Sequence, residues 1–76
     1  MIVSPQDIKQ WISDGMPDSS VEVEGDGQHF EAVIVSSEFS GKSLIQRHQM
    51  VYGVLGDRMK SQIHALSMKT LTPDEL

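Results

Sequence analysis

The stretch Val21-Glu22-Val23-Glu24-Gly25-Asp26-Gly27-Gln28-His29-Phe30-Glu31-Ala32-Val33-Ile34-Val35 decides the fold. Val21 and Val23 alternate with Glu22 and Glu24, the period of a strand with one buried and one wet face. Gly25-Asp26-Gly27 is turn chemistry, since glycine reaches positive φ without strain. From His29 to Ser37 the chain is rich in β-formers, with Phe30, Val33, Ile34 and Val35 among them. The segment predicts a hairpin whose loop runs from Gly25 to Gln28.

Upstream lies a helix. Ser4 is an N-cap, Pro5 stands where a missing N–H costs nothing, and Asp7 completes a capping box. Ile8, Trp11 and Ile12 follow on one helical face, and Gly15 and Pro17 end it. Downstream, Ser43 and Gln46 form a second capping box. Leu44, His48, Val51, Leu55 and Met59 then make an apolar helical stripe with Tyr52 beside it. Gly53 and Gly56 predict a break into two helical pieces. Ile63 to Leu71 reads as a third strand, less cleanly alternating. Thr72-Pro73-Asp74-Glu75 opens one more turn, and the end at Leu76 reads as a truncation or a short tail.

The expectation is one α+β domain over residues 1–76, in the order helix, strand, strand, split helix, strand, helix start. A helix between strands two and three is the crossover that a parallel pair requires. The sheet is then three-stranded and mixed, with helices on one face.

Composition narrows the function. A chain of 76 residues buries only roughly 60% of its unfolded surface, which favours a binding module over an enzyme with a layered active site. There is no cysteine, hence no disulfide framework and no thiolate metal site of its own. The longest apolar run, Ala32 to Val35, is far too short to span a membrane. Without a signal-peptide pattern, the expectation is a cytoplasmic protein with no membrane contact. The net charge of −5 opposes nucleic-acid binding. Nucleophilic catalysis lacks a cysteine, a nucleophile elbow or a plausible triad, so no enzyme is expected.

Three histidines remain for chemistry. His29 opens the second strand beside the Gly-rich loop, His64 lies at the start of the third, and His48 sits on the apolar stripe. Neutral imidazole is the commonest metal ligand, yet scattered histidines do not make a site. On spacing alone, surface or hydrogen-bonded structural histidines account for them. Gly53-Val54-Leu55-Gly56 matches a literal G-x-x-G nucleic-acid clamp, but it falls within a helical stripe, where packing or bending explains it. Lys42, Arg47, Arg58 and Lys60 are the candidate phosphate contacts, against the ordinary reading of a solvated helix face. Glu22, Glu24 and Asp26 read as the wet face of a strand and its turn.

The run Phe39-Ser40-Gly41-Lys42-Ser43-Leu44-Ile45-Gln46-Arg47-His48-Gln49-Met50-Val51-Tyr52 resembles the central segment of the BolA family. Ile63-His64-Ala65-Leu66-Ser67-Met68-Lys69-Thr70-Leu71-Thr72-Pro73 resembles its C-terminal signature, and Gly25-Asp26-Gly27-Gln28-His29-Phe30 its variable loop and second strand. The likeness spans about Ile8 to Glu75 and is greatest to the short bacterial, YrbA-like branch. It implies a class II KH-like fold and partnership with a monothiol glutaredoxin bearing a CGFS-type active site. The two would share a [2Fe-2S] cluster, with the glutaredoxin cysteine and a glutathione thiolate on one side. No cluster is expected in the isolated protein, which would be a monomer or weak homodimer. His64 matches the family's invariant histidine and is the first implied ligand. The second is a Cys or His in the hairpin loop, where this chain has Asp26 at about the cysteine position. His29 is the natural substitute, and Asp26 ranks behind it as an oxygen donor. Histidine in place of thiolate raises a cluster's reduction potential and makes ligation depend on pH. His48, in the family's Arg-His pair, is expected to be structural. The family is also associated with DNA-binding transcriptional regulation, which is the alternative function. Such binding is expected to be weak here.

Overall fold

The computed structural model describes residues 3–63 and 65–76, with the backbone alone for Lys60. Helix α1 spans Pro5–Gly15. Its capping box is closed on both sides. The Asp7 N–H donates to Ser4 Oγ at 3.2 Å, and the Ser4 N–H donates to Asp7 Oδ2 at 3.0 Å. Strands β1 (Ser20–Gly25) and β2 (His29–Val35) pair antiparallel as the expected hairpin. Gly27 takes φ 99° in its loop, a conformation that side-chain-bearing residues rarely adopt.

Strand β2 ends earlier than the composition suggests. Ser36 donates a last inter-strand bond to the Leu71 carbonyl and caps a 3₁₀ turn, Ser37–Phe39, with its Oγ accepting from the Glu38 N–H. That turn drops Phe39 into the core with no exposed surface. Helix α2 (Leu44–Leu55) starts at the Ser43–Gln46 capping box. It stops at Gly56, whose φ of 58° provides the left-handed exit. One further turn, α3 (Arg58–Ser61), follows, so the helix is split at the glycine as expected.

Strand β3 (Ala65–Leu71) runs parallel to β2, with sheet order β1-β2-β3. Ile63, expected to open this strand, instead ends α3. Its N–H donates to the Arg58 carbonyl, and its side chain is buried. A single 3₁₀ turn, Pro73–Glu75, closes the chain behind Thr72.

One apolar cluster holds these elements. Ile8 and Ile12 of α1 and Val51 and Leu55 of α2 meet Val21, Phe30, Ala32 and Ile34 on a single sheet face. The stripe on α2 is shorter than its periodicity implies. Leu44 is 63% exposed, so burial begins a turn later. The angle around the helix is right, but the first turn extends beyond the surface that this face covers. Here Arg47, not Leu44, packs inward, with its guanidinium 5.9 Å from the Phe39 ring centre.

Candidate functional site

The hairpin loop and the beginning of β3 meet at one end of the sheet. In the β2–β3 register His29 stands opposite Ala65, and the Ala65 N–H donates to the Gln28 carbonyl at 3.1 Å. His29 is exposed on the sheet face that the helices leave open. His64, the first implied ligand, lies outside the described residues. Both of its covalent neighbours, Ile63 and Ala65, are described, and Ala65 is directly across from His29.

Asp26 is a loop-closing residue. Its Oδ1 accepts the backbone N–H groups of Gln28 and His29, each at 2.9 Å. These two bonds, the one from His29 foremost, hold its carboxyl below the ordinary aspartate range. The bonds fix the loop geometry immediately before His29, so Asp26 positions whatever His29 does.

The donor set limits what this end can hold. The chain has no thiolate, and among the described residues no three His, Asp or Glu side chains converge on a common point. Nitrogen from His29 fits one position on a metal whose remaining ligands come from elsewhere. It does not fit a metal held by those residues alone.

The candidate phosphate contacts are scattered and partly engaged. Arg47 donates from Nη1 to Glu75 Oε1 at 2.7 Å and from Nη2 to Glu75 Oε2 at 3.3 Å. It also donates to the carbonyls of Thr70 and Lys42. Arg58 lies over the Trp11 ring, 4.7 Å from its centre, and joins α3 to α1. Lys42 is exposed, and the side chain of Lys60 lies outside the described residues. The literal G-x-x-G is helix interior and helix exit, as its placement in the stripe implies.

His48 is half-buried on α2, but it is not the satisfied histidine expected. Its Nε2 is buried without a hydrogen-bond partner among the described residues, as is Thr70 Oγ1. The four-part engagement of Arg47 is the feature that sequence reasoning missed. Its partners lie up to 28 residues away, and no local pattern announces them.

A three-stranded mixed sheet with helices on one face and His29 at its loop end defines a small α+β domain. The chain belongs to the BolA-like protein family, whose pattern matches residues 11–75. It is similar to a solved BolA homologue from Coxiella burnetii at 53% identity and a TM-score of 0.91, covering 97% of this chain and 96% of that one. It is 36% identical over 70 residues to the acid stress protein IbaG of Escherichia coli, covering 91% of this chain and 83% of that protein. It is 41% identical over 51 residues to the DNA-binding transcriptional regulator BolA of Haemophilus influenzae, covering 67% of this chain and 50% of that protein. The first curated relatives are longer, and the matched segment spans 14% to 56% of their lengths. Two of these relatives are named as a transcriptional regulator and an acid stress protein. Among the described residues, no helix is long and apolar enough to cross a membrane.

Proposed function

We propose that this chain is an adaptor that binds a CGFS-type monothiol glutaredoxin and completes the coordination of a shared [2Fe-2S] cluster. His64 and His29 are its ligands in this reading, with Asp26 holding the loop. The glutaredoxin cysteine and glutathione supply the thiolates that the chain lacks. The observation that supports it is the register: His29 is opposite Ala65, the residue that follows His64. His29 is thereby paired across the strands, at one end of the sheet, with the residue that follows His64 in the sequence. A cysteine-free protein can enter such a site only through nitrogen or oxygen.

Visible circular dichroism tests the proposal. The protein is added to a cluster-loaded monothiol glutaredoxin in the presence of glutathione. A new spectrum is expected, and His64→Ala and His29→Ala should each alter it and shorten the cluster's lifetime while the far-ultraviolet spectrum stays unchanged. Spectra identical to wild type for both variants would remove both histidines from the site.

The second reading is DNA-binding regulation, favoured by the names of the Haemophilus and Escherichia BolA relatives. With Arg47 tied to Glu75 and Arg58 stacked on Trp11, few cations are available for phosphates, so we rank it behind the adaptor.

A further inference from the structure

The helices cover one face of the sheet and leave the other open. Register arranges the open face in rows across the strands: Glu22–Val33–Lys69 and, beside it, Glu24–Glu31–Ser67. Between β2 and β3 the surface sinks into a shallow groove of about 280 Å³ lined by Glu31, Ala32, Val33, Ser67, Met68 and Lys69. Val33, in the middle of the central strand, is 39% exposed.

The charges on this face are unbalanced. Glu24 and Glu31 stand directly opposite each other on adjacent strands, an arrangement that destabilises a sheet. Neither has a cation partner, since the only ion pair among the described residues joins Arg47 to Glu75. A positively charged group placed between the two carboxylates would relieve the repulsion.

We propose that the open face docks an amphipathic helix of a partner protein, with apolar residues over Val33 and a lysine or arginine between Glu24 and Glu31. A second copy of the chain is a poor occupant, because each copy carries a net charge of −5. A metal ion is a poor one too, because the face offers no third converging ligand among the described residues. An extended segment lying flat on the face would leave its own backbone groups unpaired, whereas a helix brings them already satisfied. Two helices cover the opposite face in the same manner. Successive outward residues along a strand are about 6.7 Å apart, close to the spacing of helical residues four apart.

The test is amide shift mapping by NMR on the full chain, titrated with a synthetic helical peptide of about 15 residues, long enough to hold a helix. It is built of Leu, Ala and Lys, with leucines on one face and lysines along one flank. Saturable shifts are expected at Glu22, Glu24, Glu31, Val33 and Ser67. The double variant E24Q/E31Q should bind about three- to tenfold more weakly, the range for losing two exposed charge pairs. It should also fold at least as stably as wild type. The same peptide with Glu in place of Lys should not bind. Shifts centred on Leu44 and Ile45 would overturn the proposal, as would undiminished binding to E24Q/E31Q. So would sedimentation showing that the chain alone dimerises through this face.

Discussion

Glu75 illustrates how much one side chain near the end of the chain can organise. Its carboxylate receives the Arg47 fork and the Thr72 N–H, the latter at 2.7 Å. Arg47 foremost, then the Thr72 bond, pulls its pKa from 4.5 down to about 2. The folded value lies below the unfolded one, so the stabilisation is fully present above about 4.5 and is lost as pH falls through about 2. An NMR titration of the Thr72 amide should therefore show a midpoint near 2, and Glu75→Gln should abolish that step. Arg47→Ala should raise the Glu75 midpoint toward 4.5. A wild-type midpoint already near 4.5 would mean that the fork is not made in solution. His48 and Thr70 present the reverse condition: each has a buried polar atom with no partner among the described residues. Such atoms lower the stability of the fold that contains them.

The elements carry a contrast between two glycines. Gly15 ends α1 against α2, and a Cβ there would collide with both methyl groups of Val54. Gly53 lies inside α2 with nothing within 4 Å of the same position. Gly15→Ala should thus destabilise by about 1–3 kcal/mol through overpacking, while Gly53→Ala should stabilise by roughly 0.5–1 kcal/mol by removing helix-interior glycine. Urea unfolding of both variants checks this, and an unstable Gly53→Ala would restore a special role to the G-x-x-G. The elements themselves were legible because their signals are local: two capping boxes, a Gly-rich loop and valines alternating with glutamates. Legibility failed wherever a distant partner decides. Leu44 has the correct helical angle yet nothing to pack on, Ile63 is claimed by α3 before β3 begins, and the engagement of Arg47 depends on the C-terminal turn. At the candidate site, the resemblance offered His29 and Asp26 as alternative ligands, and the bonds from the Gln28 and His29 N–H groups to the Asp26 carboxylate were not foreseen. That His29 faces Ala65 follows from the parallel crossover, which sets strands one residue at a time and leaves no mark in either segment alone.

At the scale of the whole molecule, charge separates the two functional readings. The chain has six Lys and Arg against eleven Asp and Glu, so its overall field repels a polyanion. Two of the four candidate phosphate contacts are engaged within the chain. Arg47 is tied to Glu75, and Arg58 is held over Trp11. Lys42 is exposed, and counting Lys60, whose side chain lies outside the described residues, that set offers at most two further contacts; each phosphate neutralised contributes a slope of about −0.9 to the dependence of log affinity on log salt. Two contacts predict a slope near −2, whereas all four engaged would give one near −3.6. Fluorescence anisotropy with a labelled duplex, repeated across a salt series, measures this directly. The expected result is weak binding with the shallow slope, nearly lost at physiological salt and indifferent to sequence. Arg47→Ala should leave the slope unchanged while loosening the C-terminal turn, because that guanidinium is spent on Glu75 and on backbone carbonyls. A slope near −3.6 that falls by about one on Arg47→Ala would show that DNA pulls this arginine away from Glu75. The regulatory reading would then move ahead of the adaptor.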